Sequence, residues 1–169
     1  KGLEMLLRAL DEAGLGRAQS HPESYVQMSF LLSGQGSPTV VSEVLRRGFV
    51  VHVGKQSPAD FMKSLDILVL PLETDRGTQV YPNVLLEAMG HGVPVLVSDL
   101  PVVREALGAL ASELCLPPGE ATAWSKLLSD PDALRLKAQL GSKMKERFDA
   151  VFSDSRLAML WGHCLELHS

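Results

Sequence analysis

A short helix with two polar residues on one stripe is the part of this sequence best placed to do chemistry. Pro82 suits the first helical position because it has no N–H to leave unpaired, and Gly90 or Gly92 ends the helix. Asn83 and Glu87 lie one helical turn apart, and the other positions of the helix are apolar. The stripe therefore faces either solvent, as an ordinary wetted carboxylate would, or a ligand.

The surroundings of this helix favour a ligand that contains phosphate. Apolar runs at 67–70 and 93–97 predict a buried strand on each side of the helix. A helix that follows a parallel strand points its free N–H groups and the positive end of its dipole out of the carboxyl edge of the sheet. We therefore expect Glu87 to lie near an anionic compound.

Alternation of helix and strand predicts an α/β fold with a doubly wound parallel sheet in three α/β/α layers. Residues 1–169 are expected to form one domain, and the sequence 57–60, Ser-Pro-Ala-Asp, reads as a capping-box start. The predicted helices are near 2–13, 38–47, 58–65, 83–90, 102–109, 121–129, 131–150 and 154–167, and the predicted strands are near 26–33, 49–53, 66–70, 93–97 and 113–116.

Composition limits the classes of partner. The chain has 169 residues, 46% hydrophobic content and a formal charge of −4, so it can bury a core and gives no reason to expect nucleic acid. No apolar run approaches the roughly 20 residues that cross a bilayer. No signal peptide opens the chain, and Cys115 and Cys164 lack metal-type spacing. We expect reduced core thiols, small-molecule partners and a cytoplasmic protein.

Other candidate motifs are weak. The glycines of Gly34-Gln35-Gly36 match a dinucleotide fingerprint only in part, because its third glycine falls at Thr39, and this disfavours a nicotinamide cofactor. His52, in an apolar strand, and His91, in a glycine turn, have no paired nucleophile and are interpreted as structural. Histidines and carboxylates are scattered, with no close-set ligand group, so we expect no metal site and no cofactor. We assign no catalytic residue to this chain.

Three ordered stretches resemble the donor-binding half of the retaining glycosyltransferases of family 4, which have the two-domain GT-B fold. They are 68–71, Leu-Val-Leu-Pro; 82–95, Pro-Asn-Val-Leu-Leu-Glu-Ala-Met-Gly-His-Gly-Val-Pro-Val; and 98–105, Ser-Asp-Leu-Pro-Val-Val-Arg-Glu. Lys1-Gly2 at the start and Asp130-Pro131 near the end extend the similarity over essentially the whole chain. The resemblance implies a Rossmann-like domain that binds a nucleoside-diphosphate sugar.

The resemblance also implies roles for individual residues. Glu87 matches the glutamate that accepts hydrogen bonds from the ribose hydroxyls, and Lys1 matches a lysine that contacts the diphosphate. Gly54 and Lys55 leave a strand where the nucleobase pocket lies. A solvated terminal lysine and a plain turn remain the alternatives. The predicted donor-binding residues are Lys1, Gly54, Lys55, Gln79, Val80, Asn83 and Glu87.

Two residues depart from the family motif. Eight positions before the ribose glutamate the family has an acidic residue followed by glycine, whereas this sequence has Gln79 and Val80. Glutamine still hydrogen-bonds a hexose hydroxyl but brings no charge to an oxocarbenium-like sugar, and valine keeps the backbone farther away than glycine does. The change argues for altered donor choice or weaker activity before it argues for none, with an ordinary loop residue as the alternative for Gln79.

The start of the chain predicts a fragment. Lys1 opens directly on an amphipathic helix without a preceding methionine, whereas family members have a strand, a basic loop and an entire N-terminal domain before this point. A missing first strand is expected to leave strands 26–33 and 66–70 gapped or newly paired. We expect the isolated fragment to be inactive, and its partners to be a nucleotide sugar, an unidentified acceptor and the missing N-terminal domain.

The function implied by the resemblance is metal-independent transfer of a sugar from a nucleotide donor to an acceptor, with retention. Two alternatives remain open at this point. One is a non-catalytic or truncated binding module, suggested by Gln79, Val80 and the missing strand. The other is a GT-B nucleotide-sugar epimerase, which shares the architecture and the donor but uses other chemistry.

Overall fold

A computed structural model describes residues 2–15, 29–32, 38–53, 57–74 and 81–155, in which helices alternate with short strands. A 3₁₀ turn, Gly108–Leu110, joins the helix Pro101–Leu107 to the helix Ala111–Leu114. The elements are α1 Leu3–Glu12, β1 Ser29–Leu32, α2 Pro38–Arg46, β2 Val50–Val53, α3 Pro58–Lys63, β3 Leu68–Leu70, α4 Asn83–His91, β4 Val95–Ser98, α5 Pro101–Leu107, α6 Ala111–Leu114, β5 Cys115–Leu116, α7 Ala121–Leu128, α8 Pro131–Ala138 and α9 Gly141–Val151.

The strands are parallel, and helices flank them, which confirms the predicted α/β class. β1 pairs with β2, and β3, β4 and β5 form a second sheet in that order. No backbone ladder joins β1 to β3 among the described strands. The prediction of a gap stays a prediction, because residues 26–28 and 33 of the predicted strand lie outside the described part of the chain.

The second sheet is organised around β4. Every residue from Val95 to Ser98 is buried, because β3 and β5 pair with its two edges and helices cover its faces. The register places Val95 opposite Leu68 and Val97 opposite Cys115. The continuous apolar run in the sequence is thus the signature of a strand buried on both faces.

The predicted helix 131–150 is wrong as a single element, since α8 and α9 replace it. Gly141, the first residue of α9, follows the break and lies against Gly92. A Cβ atom on Gly141 would lie 2.3 Å from the carbonyl oxygen of Gly92, and Gly92 has a φ of +70°. The close approach requires glycine at 141, and the left-handed backbone favours glycine at 92.

Two further predictions need correction. The predicted strand 113–116 begins as helix α6, which leaves β5 with the two residues Cys115 and Leu116. The predicted capping box at Ser57 is also wrong, because the Ser57 side chain makes no capping hydrogen bond and only its carbonyl oxygen accepts from the N–H of Asp60, at 3.1 Å. Only residues 154 and 155 of the predicted final helix, 154–167, are described. Cys164 lies outside the described residues.

Candidate functional site

The carboxyl ends of β3, β4 and β5 are tied together by hydrogen bonds. The N–H of Leu72 donates to Oγ of Ser98 at 2.8 Å, and the N–H of Asp99 donates to the carbonyl oxygen of Leu116 at 2.8 Å. Ser98 is fully buried, so its hydroxyl satisfies a backbone donor away from water. These bonds fix the edge of the sheet from which the candidate site must be built.

Helix α1 begins at the same edge. Gly2 precedes its first turn with a φ of +78°, and a Cβ atom there would lie only 1.7 Å from the carbonyl oxygen of Pro71, directly after β3. No side chain fits in that space. Because Gly2 also supplies no side-chain cap, the N-terminus of α1 brings N–H groups to the end of β3.

Helix α4 shows the predicted division into a buried and an exposed face. Leu85, Ala88 and Met89 are fully buried, whereas Asn83 and Glu87 are exposed one turn apart. Exposed side chains at Val84, 41% exposed, and at His91 widen the stripe. The stripe predicted from the sequence is therefore confirmed in position, with Val84 as an apolar addition.

The N-terminus of α4 lacks a side-chain cap. The helix begins at Asn83, as the predicted range 83–90 has it, but Pro82 takes the N-cap position and not the first helical position, and its carbonyl oxygen accepts from the N–H of Leu85 at 2.9 Å. Because α4 crosses over between the parallel strands β3 and β4, its N-terminus lies toward the carboxyl edge. Helix termini of this kind attract anions.

The structure describes only two of the predicted donor-binding residues, Asn83 and Glu87, and it brings them onto one exposed stripe. The Gly34-Gln35-Gly36 motif also lies outside the described part of the chain. The donor-binding roles predicted for all seven residues therefore stay predictions. The donor-binding candidates outside the described residues are Lys1, Gly54, Lys55, Gln79 and Val80.

Two other side chains at this edge of the sheet could take part in chemistry, but one is ion-paired and the other is a protonated thiol. Arg104 pairs with Asp99, the residue after β4, and this ion pair raises the pKa of the guanidinium. Burial raises the pKa of the free Cys115 thiol to about 11, so the thiol stays protonated near neutral pH. Neither group offers a free cation or a nucleophile to a ligand.

The two described histidines, His52 and His91, have different surroundings. The His52 ring packs edge-on against Phe61, with centroids 5.7 Å apart, and His91 ends α4 on the surface.

Within the described ranges no three histidine, cysteine or carboxylate side chains gather where they could hold a metal ion. In the same ranges no helix has the length and apolar character needed to cross a bilayer.

Sequence reasoning missed a residue next to the site. The hydroxyl of Tyr81, directly ahead of Pro82, donates to Oε1 of Glu105 at 2.7 Å, and this bond raises the pKa of the phenol. The Tyr81 ring also meets Phe152 edge-on, with centroids 5.3 Å apart. These partners lie far along the chain, so the only local signal was an aromatic residue directly before a helix-starting proline.

Comparison with known proteins identifies a family. A family model described as "Glycosyl transferases group 1" matches residues 1–130, well over half of the chain. No curated protein matches the chain.

Proposed function

The chain belongs to the group 1 glycosyltransferases, and we propose that it is the donor-binding part of an enzyme that transfers a sugar from a nucleoside-diphosphate donor to an acceptor with retention of anomeric configuration. The observation that carries this proposal is the exposed stripe of Asn83 and Glu87 on α4, a helix that Leu85, Ala88 and Met89 anchor in the core. Two uncapped helix N-termini at the carboxyl edge add positive potential beside it.

The chemistry of the donor matches these groups. A carboxylate has only acceptors, so Glu87 suits the two donating hydroxyls of a ribose diol. When the sugar–phosphate bond breaks, negative charge accumulates on the leaving diphosphate, and the N-termini of α1 and α4 stabilise it together with Lys1. In this scheme Gly54 and Lys55 contact the base.

The remaining parts of the reaction are assigned to other regions. Gln79 and Val80 contact the hexose, and the acceptor is held by a second, N-terminal domain. The leaving phosphate assists deprotonation of the acceptor, so the transfer needs neither a metal ion nor a cofactor.

The test of the donor site is the substitution Glu87→Ala in the product of the complete reading frame. Affinities for UDP, GDP and ADP are measured by isothermal titration calorimetry. Loss of two hydrogen bonds to a charged acceptor is expected to weaken the preferred nucleotide about 10- to 100-fold. Glu113→Ala is the matched control, because Glu113 is an exposed helical glutamate that precedes β5 and so lies toward the opposite edge of the sheet. Equal affinities in the two variants would show that Glu87 does not hold the ribose.

A second candidate function is a binding module without catalysis, favoured by Gln79 and Val80 in place of the acidic residue and glycine of the family motif. Donor turnover in the wild type and in Gln79→Glu separates the two functions. A retuned enzyme turns over a donor, gives a product of retained anomeric configuration by NMR, and responds to Gln79→Glu. A binding module holds the nucleotide but turns over no donor in either form, and an epimerase releases an epimerised sugar without using an acceptor.

A further inference from the structure

The residue ahead of α4 is held from two sides. The hydroxyl of Tyr81 donates to Oε1 of Glu105 on α5 at 2.7 Å, and its ring packs edge-on against Phe152, which follows α9, at 5.3 Å between centroids and an interplanar angle of 72°. Tyr81 precedes Pro82, the N-cap residue of α4, by a single position. Its location therefore sets where the first turn of α4 begins.

Helix α9, which ends directly before Phe152, contacts the other end of α4. A Cβ atom on Gly90 would lie 3.4 Å from the ring of Phe148, and the backbones of Gly92 and Gly141 touch. The rings of Phe148 and Phe152 are neighbours, with centroids 6.2 Å apart. Contacts from α9 thus reach both ends of α4.

A third set of contacts connects α9 to the acceptor of the Tyr81 hydroxyl. Arg147 on α9 donates from Nη2 to the carbonyl oxygen of Glu105 and from Nε to that of Ala106, both at 3.0 Å. The backbone that carries the Glu105 carboxylate is therefore fixed by α9 as well. Tyr81, α5 and α9 form a closed set of contacts around the start of α4.

We propose that Tyr81 is a positioning residue for the donor, acting through its hydrogen bond to Glu105 and its ring contact with Phe152. Together these contacts hold the N-terminus of α4, with Asn83 and Glu87, in the orientation that binds the nucleotide. The inference rests on the proposed function and adds to it the anchor that orders the helix before the ligand arrives. Such preorganisation improves affinity by removing an ordering cost from the binding step.

The test measures UDP, GDP and ADP binding to the product of the complete reading frame by calorimetry. Tyr81→Phe removes one hydroxyl and keeps the ring, and Phe152→Leu keeps apolar bulk and removes the ring. Each is expected to raise Kd about three- to tenfold without changing the binding stoichiometry. Ser112→Ala, which removes an exposed hydroxyl bonded to the Ala109 carbonyl oxygen, is the control and leaves Kd unchanged.

Partner substitutions test the route from Tyr81 to Glu105. Glu105→Gln keeps an oxygen that accepts the Tyr81 hydroxyl and retains most of the affinity, whereas Glu105→Ala behaves like Tyr81→Phe. The double variant Tyr81→Phe/Glu105→Ala is no weaker than either single variant, because both remove the same bond. Additive losses would overturn the assignment.

Hydrogen exchange provides a readout that needs no ligand. In Tyr81→Phe the amides of Leu85 and Leu86, which donate to the Pro82 carbonyl oxygen, are expected to exchange faster, while those of α7 do not change. A purely structural role would instead lower the melting temperature and the fraction of competent protein at constant Kd, and that result overturns the inference. If the wild type binds none of the three nucleotides, the proposed donor site is wrong and this inference is wrong with it. If the wild type binds a nucleotide and Tyr81→Phe binds it with the same Kd, only this inference is overturned.

Discussion

The two parallel sheets have the same strand type but are held in place by different interactions. The β3–β4–β5 sheet has a fully buried central strand and a buried hydroxyl, Ser98, that ties two strand ends together. Beside the β1–β2 sheet, Arg47 connects α1 to α2 through Asp11, at 2.8 Å, and through Glu43. The side chains of those two acids are 48% and 40% exposed.

This difference determines how the stability of each region responds to salt and to pH. Burial of apolar surface depends little on salt or on pH, whereas partly exposed ion pairs are screened by salt and titrate. The candidate site lies on α4, which packs on the region of the first kind. The helix that carries the candidate site is thus packed on a sheet whose central strand is fully buried.

The largest expected effect comes from matched core substitutions in the two sheets. Val97→Ala in β4 empties fully buried space and is expected to lower the free energy of unfolding by about 2–3 kcal/mol, whereas Val51→Ala in the half-buried β2 costs about 1 kcal/mol or less. Urea denaturation at neutral pH measures both values. Equal losses would remove the proposed distinction between the sheets.

A second substitution tests the tie between strand ends. Ser98→Ala leaves the N–H of Leu72 without its acceptor and is expected to cost about 1–2 kcal/mol of stability. Because the bond lies at the edge that carries the site, nucleotide affinity should fall as well. Ser112→Ala, an exposed hydroxyl, serves as the control in the same urea titrations. If Ser98→Ala had the same free energy of unfolding as the wild type, the structural role of this bond would be contradicted.

The ion pairs of the other region predict a pH dependence. Hydrogen bonds from Arg46 and Arg47 lower the pKa of Glu43 from 4.5 to about 2. The folded-state pKa lies below the unfolded one, so the stabilisation is complete above pH 4.5 and is lost as the pH falls toward about 2. The difference in melting temperature between the wild type and Glu43→Gln should therefore shrink across that window and at high salt. A difference that stays constant at acidic pH would show that Glu43 gains nothing from its charge.

The smallest expected effect on stability belongs to Glu87. Its side chain is exposed, so Glu87→Ala should change the free energy of unfolding by no more than about 0.5 kcal/mol. The same substitution is expected to have a large effect on nucleotide affinity. A substantial loss of stability measured by urea denaturation would mean that Glu87 is a structural residue, and the ligand interpretation would fail.

Much of the fold could be predicted because local patterns carry it. The apolar run around β4, the glycine after α4 and the spacing of Asn83 and Glu87 each depend on residues within one or two turns of each other. These features appear in the structure where the sequence places them. The contact between Gly141 and Gly92, next to the break between α8 and α9, could not be predicted, since it joins distant parts of the chain.

The candidate site was predictable only in part for the same reason. Glu87 stands out from its own helix, but the hydrogen bond from Tyr81 to Glu105 joins residues on different elements, and no local pattern announces it. Ser57 shows the opposite error, because a good capping sequence is present and its side chain makes no cap. Local chemistry specifies what a residue is able to do, and packing decides which of those options is used.

The contact between Gly92 and Gly141 limits how this domain can diverge. Neither position accepts a larger residue, because any added carbon at Gly141 meets the Gly92 carbonyl oxygen and Gly92 has a left-handed backbone. Homologues that keep this contact should therefore have glycine at both positions. Glycine in these two distant alignment columns would identify relatives in which α9 still packs against the end of α4.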